Sequence, residues 1–243
     1  MSVRGVLLDV DDTLVDTRGA FRHAWSQLTE RFLPHVGDVE EVVRAWRADD
    51  GGFYSAYTQG RLDYLEQRRH RVEALHARFG APPLGEAGFT EWNALFEDGF
   101  RAGWRAFDDA LEAVAQLRAA RVGVGVVTNA ATPYQRLKLD AVGLADLPVL
   151  VGVDLFGFGK PDPRVFAEGA RRLGLEPGEA AYVGDELHAD ALGASRAGLT
   201  GVWLDRPGWR GRPVRPEEVD GAREEGVRRI ESLRELSGAL GLG

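Results

Sequence analysis

The chain has 243 residues of which 44% are hydrophobic, enough for a buried α/β core with or without a second, smaller domain and too many for a disordered chain. A formal net charge of -8 argues against a nucleic-acid or anionic-membrane partner, because either favours a basic surface, but it permits a small anionic substrate in a local pocket. Zero cysteines exclude disulfides, thiolate metal sites and a cysteine nucleophile, and with no secretion signal and no apolar run of bilayer length the sequence reads as that of a cytoplasmic protein.

The first apolar run, Val3 to Leu8, reads as a strand. It ends in Asp9-Val10-Asp11-Asp12-Thr13, with Asp16 close behind. Like charges crowded at a strand end repel one another, so they imply a cation or chemical work. Residues 17 to 104 then break the rhythm, being far longer than a crossover needs. Within them Arg18 to Phe32, Val39 to Arg47, Arg61 to Phe79 and Thr90 to Trp104 carry apolar residues at helical period, which predicts an inserted all-helical domain. Trp25, Trp46, Trp92 and Trp104 read as its core. The segment DDGGFYSAYTQGRLDY at 49 to 64 reads as a loop, and Tyr57 and Arg61 suit a ligand-facing surface as well as one packed on the insert's own helices.

Beyond the insert, helices predicted over Asp108 to Ala120, Pro133 to Val142, Pro163 to Leu173 and His188 to Ala197 alternate with apolar runs at Val122 to Thr128, Leu147 to Val151, Ala180 to Val183 and Gly201 to Leu204. Alternation of this kind predicts a doubly wound parallel sheet, a Rossmann-like α/β core of residues 1–16 and 105–243 carrying the helical insert 17–104. The tail reads as a loop, with Arg206, Arg210, Arg212 and Arg215 solvated, followed by a terminal helix presenting Ile230, Leu233, Leu236 and Leu240 on one side.

In a parallel sheet, ligands bind at the carboxyl ends of the strands. Those ends carry DVDDT, TNAATP, GFGKPDP and GDELHAD. The set resembles the haloacid dehalogenase superfamily of phosphohydrolases: Asp9-Val10-Asp11-Asp12-Thr13, Thr128, Lys160, and Asp185 with Asp190 match its four motifs in order, over about residues 3 to 204. The helical insert resembles the family's first cap type. The resemblance implies an enzyme that hydrolyses a small phosphorylated metabolite through an aspartyl-phosphate. By it, Asp9 is the nucleophile, Asp11 the acid and base, Thr128, Asn129 and Lys160 bind phosphate, and Asp9, the backbone carbonyl of Asp11, and Asp185 ligate a metal.

Elementary chemistry agrees with these roles. A phosphate ester repels an anionic nucleophile, so a carboxylate at this position needs a cation to screen it, and an all-oxygen ligand set suits Mg2+. Asp190 either caps its helix or orients Lys160. Asp12 reads as a solvated or locally hydrogen-bonded carboxylate and Asp16 as part of the turn into the insert. Thr132 and Asp162 read as helix N-caps, each followed by proline. His188 reads as a surface residue. Lys138 and Lys160 are the only lysines and Asn93 and Asn129 the only asparagines, and a lysine at a helix N-terminus opposes the macrodipole, which singles out Lys160. A 2-haloacid dehalogenase would use the Asp9 nucleophile without a metal, and by resemblance would lack an acid at Asp11. A phosphosugar mutase shares the cap type. A phospho-receiver module has neither the insert nor the order of acidic residues.

Overall fold

The computed structural model describes residues 3–208 and 214–242, so the predicted solvated arginines Arg210 and Arg212 lie outside the described residues. The chain forms two compact units, Met1–Asp16 with Ala106–Gly243, and Thr17–Arg105. Arg105 thus goes with the helical unit rather than with the core.

The chain enters through strand β1 (Gly5–Leu8) and then builds the helical unit from α1 (Thr17–Phe32), α2 (Val39–Ala48), α3 (Phe53–Thr58), α4 (Tyr64–Arg78) and α5 (Glu86–Ala102). Local chemistry starts two of these helices. Asp38 caps α2 by accepting from Glu40 N, and Asp63 and Glu66 form a reciprocal capping box at α4. Helix α1 packs closely on α5 at Gly99, where a Cβ would lie 2.9 Å from Ala24 Cα, so only glycine permits the approach. The four tryptophans are buried, and Trp25 meets Trp46 and Trp92 with ring centroids 5.5 Å apart. Helix α3 corrects the loop predicted at 49–64. It is capped from upstream, Asp49 accepting from Tyr54 N at 3.1 Å and Ser55 N at 3.2 Å, and Arg61 is turned back onto Gln59 Oε1. Glycines on either side hid this short helix from a periodicity argument.

The other unit continues with α6 (Asp108–Ala119), β2 (Gly123–Val127), α7 (Thr132–Ala141), β3 (Val149–Val151), α8 (Pro163–Arg172) and β4 (Ala180–Gly184). A π-helical turn, Leu187–Leu192, runs into α9 (Gly193–Arg196), followed by β5 (Thr200–Leu204), α10 (Pro216–Glu224), β6 (Arg228–Ile230) and α11 (Leu236–Leu240). The strands form one parallel sheet in the order β3-β2-β1-β4-β5-β6, the doubly wound α/β arrangement of Rossmann-type sheets. Its core packs Leu7, Val127, Val151 and Tyr182 of the strands against Val165 and Phe166 of α8. The predicted terminal helix is corrected: Ile230 belongs to β6 and pairs with Leu204, Leu233 lies in a 3-10 turn, and only Leu236 and Leu240 are in α11. An unpaired β5 edge would leave its backbone groups unsatisfied, and β6 covers it. Among the described residues no helix is long and apolar enough to cross a membrane.

The chain winds outward from β1 through β2 to β3 and then crosses back to β4 on the other side of β1. That reversal opens a crevice at the carboxyl ends of β1 and β4.

Candidate active site

Leu8 of β1 pairs with Val126 on one side and Val183 on the other. The next residue, Asp9, therefore emerges between the ends of β2 and β4, and its amide donates to Val183 O at 2.9 Å. The loop beyond folds back at once, Leu14 N and Val15 N both donating to Val10 O. Asp12 sits at φ 57°, a left-handed conformation that asparagine and aspartate tolerate better than most residues, and it is buried, which removes the solvated one of its two readings and leaves the locally hydrogen-bonded one. Arg206 is also buried, correcting its reading as a solvated loop residue. Its guanidinium pairs with both oxygens of Asp109 at 2.8 Å and donates to Thr13 O at 3.0 Å, tying the Asp9 loop to α6. Arg215 is exposed and pairs with Glu218, which also meets the exposed His188.

Lys160 occupies the centre of the site. Its Nζ is 2.7 Å from Asp9 Oδ1, Asp190 Oδ1 and Tyr182 Oη, so all three ammonium protons are committed to protein oxygens. Tyr182 in turn donates to Val127 O, and Asp190 Oδ2 accepts from Glu186 N. Asp162 caps α8 and Pro163 opens it, as the sequence suggested. The Asn129 side chain grips the Lys160 backbone from both sides, Nδ2 donating to Lys160 O at 3.1 Å and Oδ1 accepting from Lys160 N at 2.6 Å. Its side-chain amide is thereby used to hold the lysine loop. Thr132 is not an N-cap: its amide and hydroxyl both donate to Asp154, which caps α7 from the following loop.

Thr128, at the end of β2, is buried, and its hydroxyl oxygen accepts from Ala130 N and Gln135 Nε2, which leaves its proton to donate to an anion. Asp11, two residues beyond Asp9, remains 40% exposed at its side chain and is held by two residues the sequence analysis did not assign, Lys138 and Gln135. Tyr182 was also missed, because an aromatic residue in a buried strand reads as core. For Lys138 a signal existed in the scarcity of lysine, though it was read only for Lys160.

Oxygen atoms of Asp9, Asp185 and Asp190 lie within 4.8 Å of one another. Since Asp190 has one oxygen on Lys160 and the other on a backbone amide, Asp9 and Asp185 are the pair suited to a cation. Gly184 makes room for this packing, because a Cβ there would strike the Asp190 carboxylate. The electrostatics agree. Burial lifts the Asp9 carboxyl to about 7, with Lys160 opposing and Asp190 and Asp11 adding to the rise. Burial and then Asp12 and Asp190 hold Asp185 well above the carboxylate range. Burial disfavours the Lys160 charge, but Asp190 and Asp9 outweigh it and keep the ammonium protonated. Two carboxyls whose charge is strained by burial and by each other form a hard-oxygen site that a divalent cation relieves.

A pH dependence follows. The folded Asp9 retains its proton up to about 7, whereas its ordinary value is 3.8, so in chelator the protein loses stability as pH rises through this window. Metal ligation requires the ionised carboxylates, so a divalent cation held by them would stabilise the protein increasingly over the same range. Carboxylates lowered by ion pairs, such as Glu168 at about 2, titrate below it and do not interfere. Thermal melts with chelator and with Mg2+ are expected to diverge by several degrees more at pH 8 than at pH 5. A gap that narrows with rising pH would contradict the site.

Residues 3–198 match the family model of the haloacid dehalogenase-like hydrolases. The chain belongs to this family. It is 35% identical to the phosphoserine phosphatase of Thermus thermophilus over 95% of its own length and 96% of that protein. It is 30% identical to the glyceraldehyde 3-phosphate phosphatase of Methanopyrus kandleri, over 84% of each chain. Among solved structures, the L-2-haloacid dehalogenase of Xanthobacter autotrophicus superposes with a TM-score of 0.73, covering 98% of each chain at 18% identity, a likeness of fold alone. Within the haloacid dehalogenase-like family the chain is an enzyme of the phosphoric monoester hydrolase class.

Proposed function

We propose that the protein is a Mg2+-dependent phosphatase that cleaves a small-molecule phosphate monoester through an aspartyl-phosphate on Asp9. The observation that carries this reading is the convergence of Asp9, Lys160 and Asp185 in a buried crevice at the ends of β1 and β4. Asp9 and Asp185, with the Asp11 backbone carbonyl, would hold the cation, which when bound supplies charge neutralisation between the carboxylate and the phosphoryl oxygens.

The chain's own residues account for the remaining chemistry. Lys160 fixes the Asp9 carboxylate through Oδ1 and lowers the repulsion that an approaching phosphate meets. The Thr128 hydroxyl binds a phosphoryl oxygen. An Asp9 oxygen forms a bond to phosphorus as the bond to the ester oxygen breaks, and the electron pair that leaves on that oxygen takes the proton of Asp11. Asp11, now ionised, removes a proton from water as the water oxygen attacks phosphorus, and Asp9 leaves as the free carboxylate. Asn129 holds the Lys160 loop and Asp190 holds its ammonium group, so both act by position.

The relatives with phosphatase names support a small phosphorylated metabolite as substrate. The acid at Asp11 and the paired Asp9 and Asp185 favour this reading over metal-free dehalogenation. Phosphate release from an aryl phosphate and from a panel of phosphorylated metabolites is the test. Activity should vanish in chelator and return with Mg2+. Full turnover without a divalent cation, or an isomerised ester in place of free phosphate, would overturn the assignment.

A further inference from the structure

Helix α7 carries two buried polar side chains, Gln135 at 0% exposure and Lys138 at 2%. Spaced three residues apart, they share one face of the helix. Both are aimed at one carboxylate. Lys138 Nζ donates to Asp11 Oδ1, and Gln135 Nε2 donates to Asp11 Oδ2 at 2.8 Å and to Thr128 Oγ1 at 2.9 Å. Apolar side chains would satisfy a helix packed on a sheet more cheaply, because a buried ammonium group is tolerated only when paired. The Gln135 Oε1 atom is buried with no hydrogen-bond partner, so this side chain is not optimised for stability. What the two residues achieve is to fix both oxygens of Asp11 and to link that carboxylate to the hydroxyl ending β2.

We propose that Lys138 and Gln135 are positioning residues that hold the Asp11 carboxylate in the orientation from which it exchanges protons, Gln135 coupling it to Thr128. The proposal rests on Asp11 being the acid and base of the reaction. A half-exposed aspartate would otherwise sample several rotamers, and proton transfer requires one of them at the ester oxygen and then at the attacking water. Fixing two oxygens from one rigid helix removes that freedom.

The leaving group separates this role from a structural one. An alkyl phosphate leaves as a basic alkoxide and needs the Asp11 proton, whereas an activated aryl phosphate leaves unaided and needs Asp11 only for hydrolysis of the aspartyl-phosphate. Lys138→Met and Gln135→Leu are therefore expected to lower kcat on an alkyl phosphate by about tenfold or more, with KM changed less than about twofold. With the aryl phosphate, one equivalent of phenol should appear in a rapid burst before a slowed steady state. In an Asp11→Asn background neither substitution should cost further activity, since residues acting through one group are not additive.

Equal losses on both esters without a burst, or further losses in the Asp11→Asn background, would assign α7 to structure. If Lys138→Met does not fold, Gln135→Leu carries the same three readouts with an apolar side chain of similar size. The two levels of the argument fail differently. Asp11→Asn with wild-type turnover overturns the role of Asp11 itself, whereas an impaired Asp11→Asn beside unimpaired α7 variants overturns only the positioning.

Discussion

Asp9→Asn is expected to reduce turnover by about a thousandfold or more on every substrate, because an amide neither attacks phosphorus nor forms the acyl phosphate. The same substitution should not unfold the protein. Burial raises the Asp9 carboxyl to about 7, so the ionised form is held against its preference, and a neutral isostere relieves that strain while Lys160 keeps Asp190 as its counter-ion. In chelator at pH 8 the variant should melt at a temperature equal to or above that of the wild type, and Mg2+ should no longer raise it appreciably. Steady-state kinetics and thermal melts on one preparation check both halves. A variant that retains more than about a hundredth of wild-type turnover would remove Asp9 as nucleophile.

Lys160→Arg should be the second most damaging change despite conserving charge. The three oxygens around Nζ, all at 2.7 Å, fit the tripod of an ammonium group, and a planar guanidinium has neither the shape nor the room. A loss of about a hundredfold in kcat is expected, with Asp9 turned from its position and Tyr182 deprived of its donor. Lys160→Met should destabilise as well, since Asp9 and Asp190 then face one another without a cation, a change of about 3 kcal/mol when one partner of a buried pair is removed. Turnover of Lys160→Arg within about threefold of wild type would return the lysine to an ordinary structural ion pair.

Asp9, Thr128 and Asp185, named from sequence, directly follow strands, and a strand end is a local property. An apolar run stops, a polar cluster follows, and in a parallel sheet every such cluster falls on the same edge. Asp9, Thr128 and Asp185 were placed on that edge for that reason, Lys160 by its scarcity and its place just before α8, and the doubly wound core and the helical insert by periodicities that differ along the chain. Asp162 and Pro163 at the start of α8 were legible because a cap acts over two or three residues.

What escaped the sequence depends on contacts between distant segments. Lys138 and Gln135 sit in a helix where any solvated face would accept them, and only the packing of α7 brings them to Asp11, more than a hundred residues earlier in the chain. Asp154 displaces Thr132 as the cap of α7 from 22 residues away. Arg206 lies in a segment that reads as solvent-exposed loop and is instead buried between Asp109 and Thr13. Ile230 fits a helical stripe with Leu233 and Leu236 but is taken by the open edge of β5, because satisfying a row of backbone donors and acceptors outweighs a local preference. Sequence by itself thus determined which polar clusters line the sheet edge, through short-range patterning. The tertiary structure alone decided which buried partner holds each of them, since a hydrogen bond across the fold depends on spatial proximity and leaves no periodic trace in the chain.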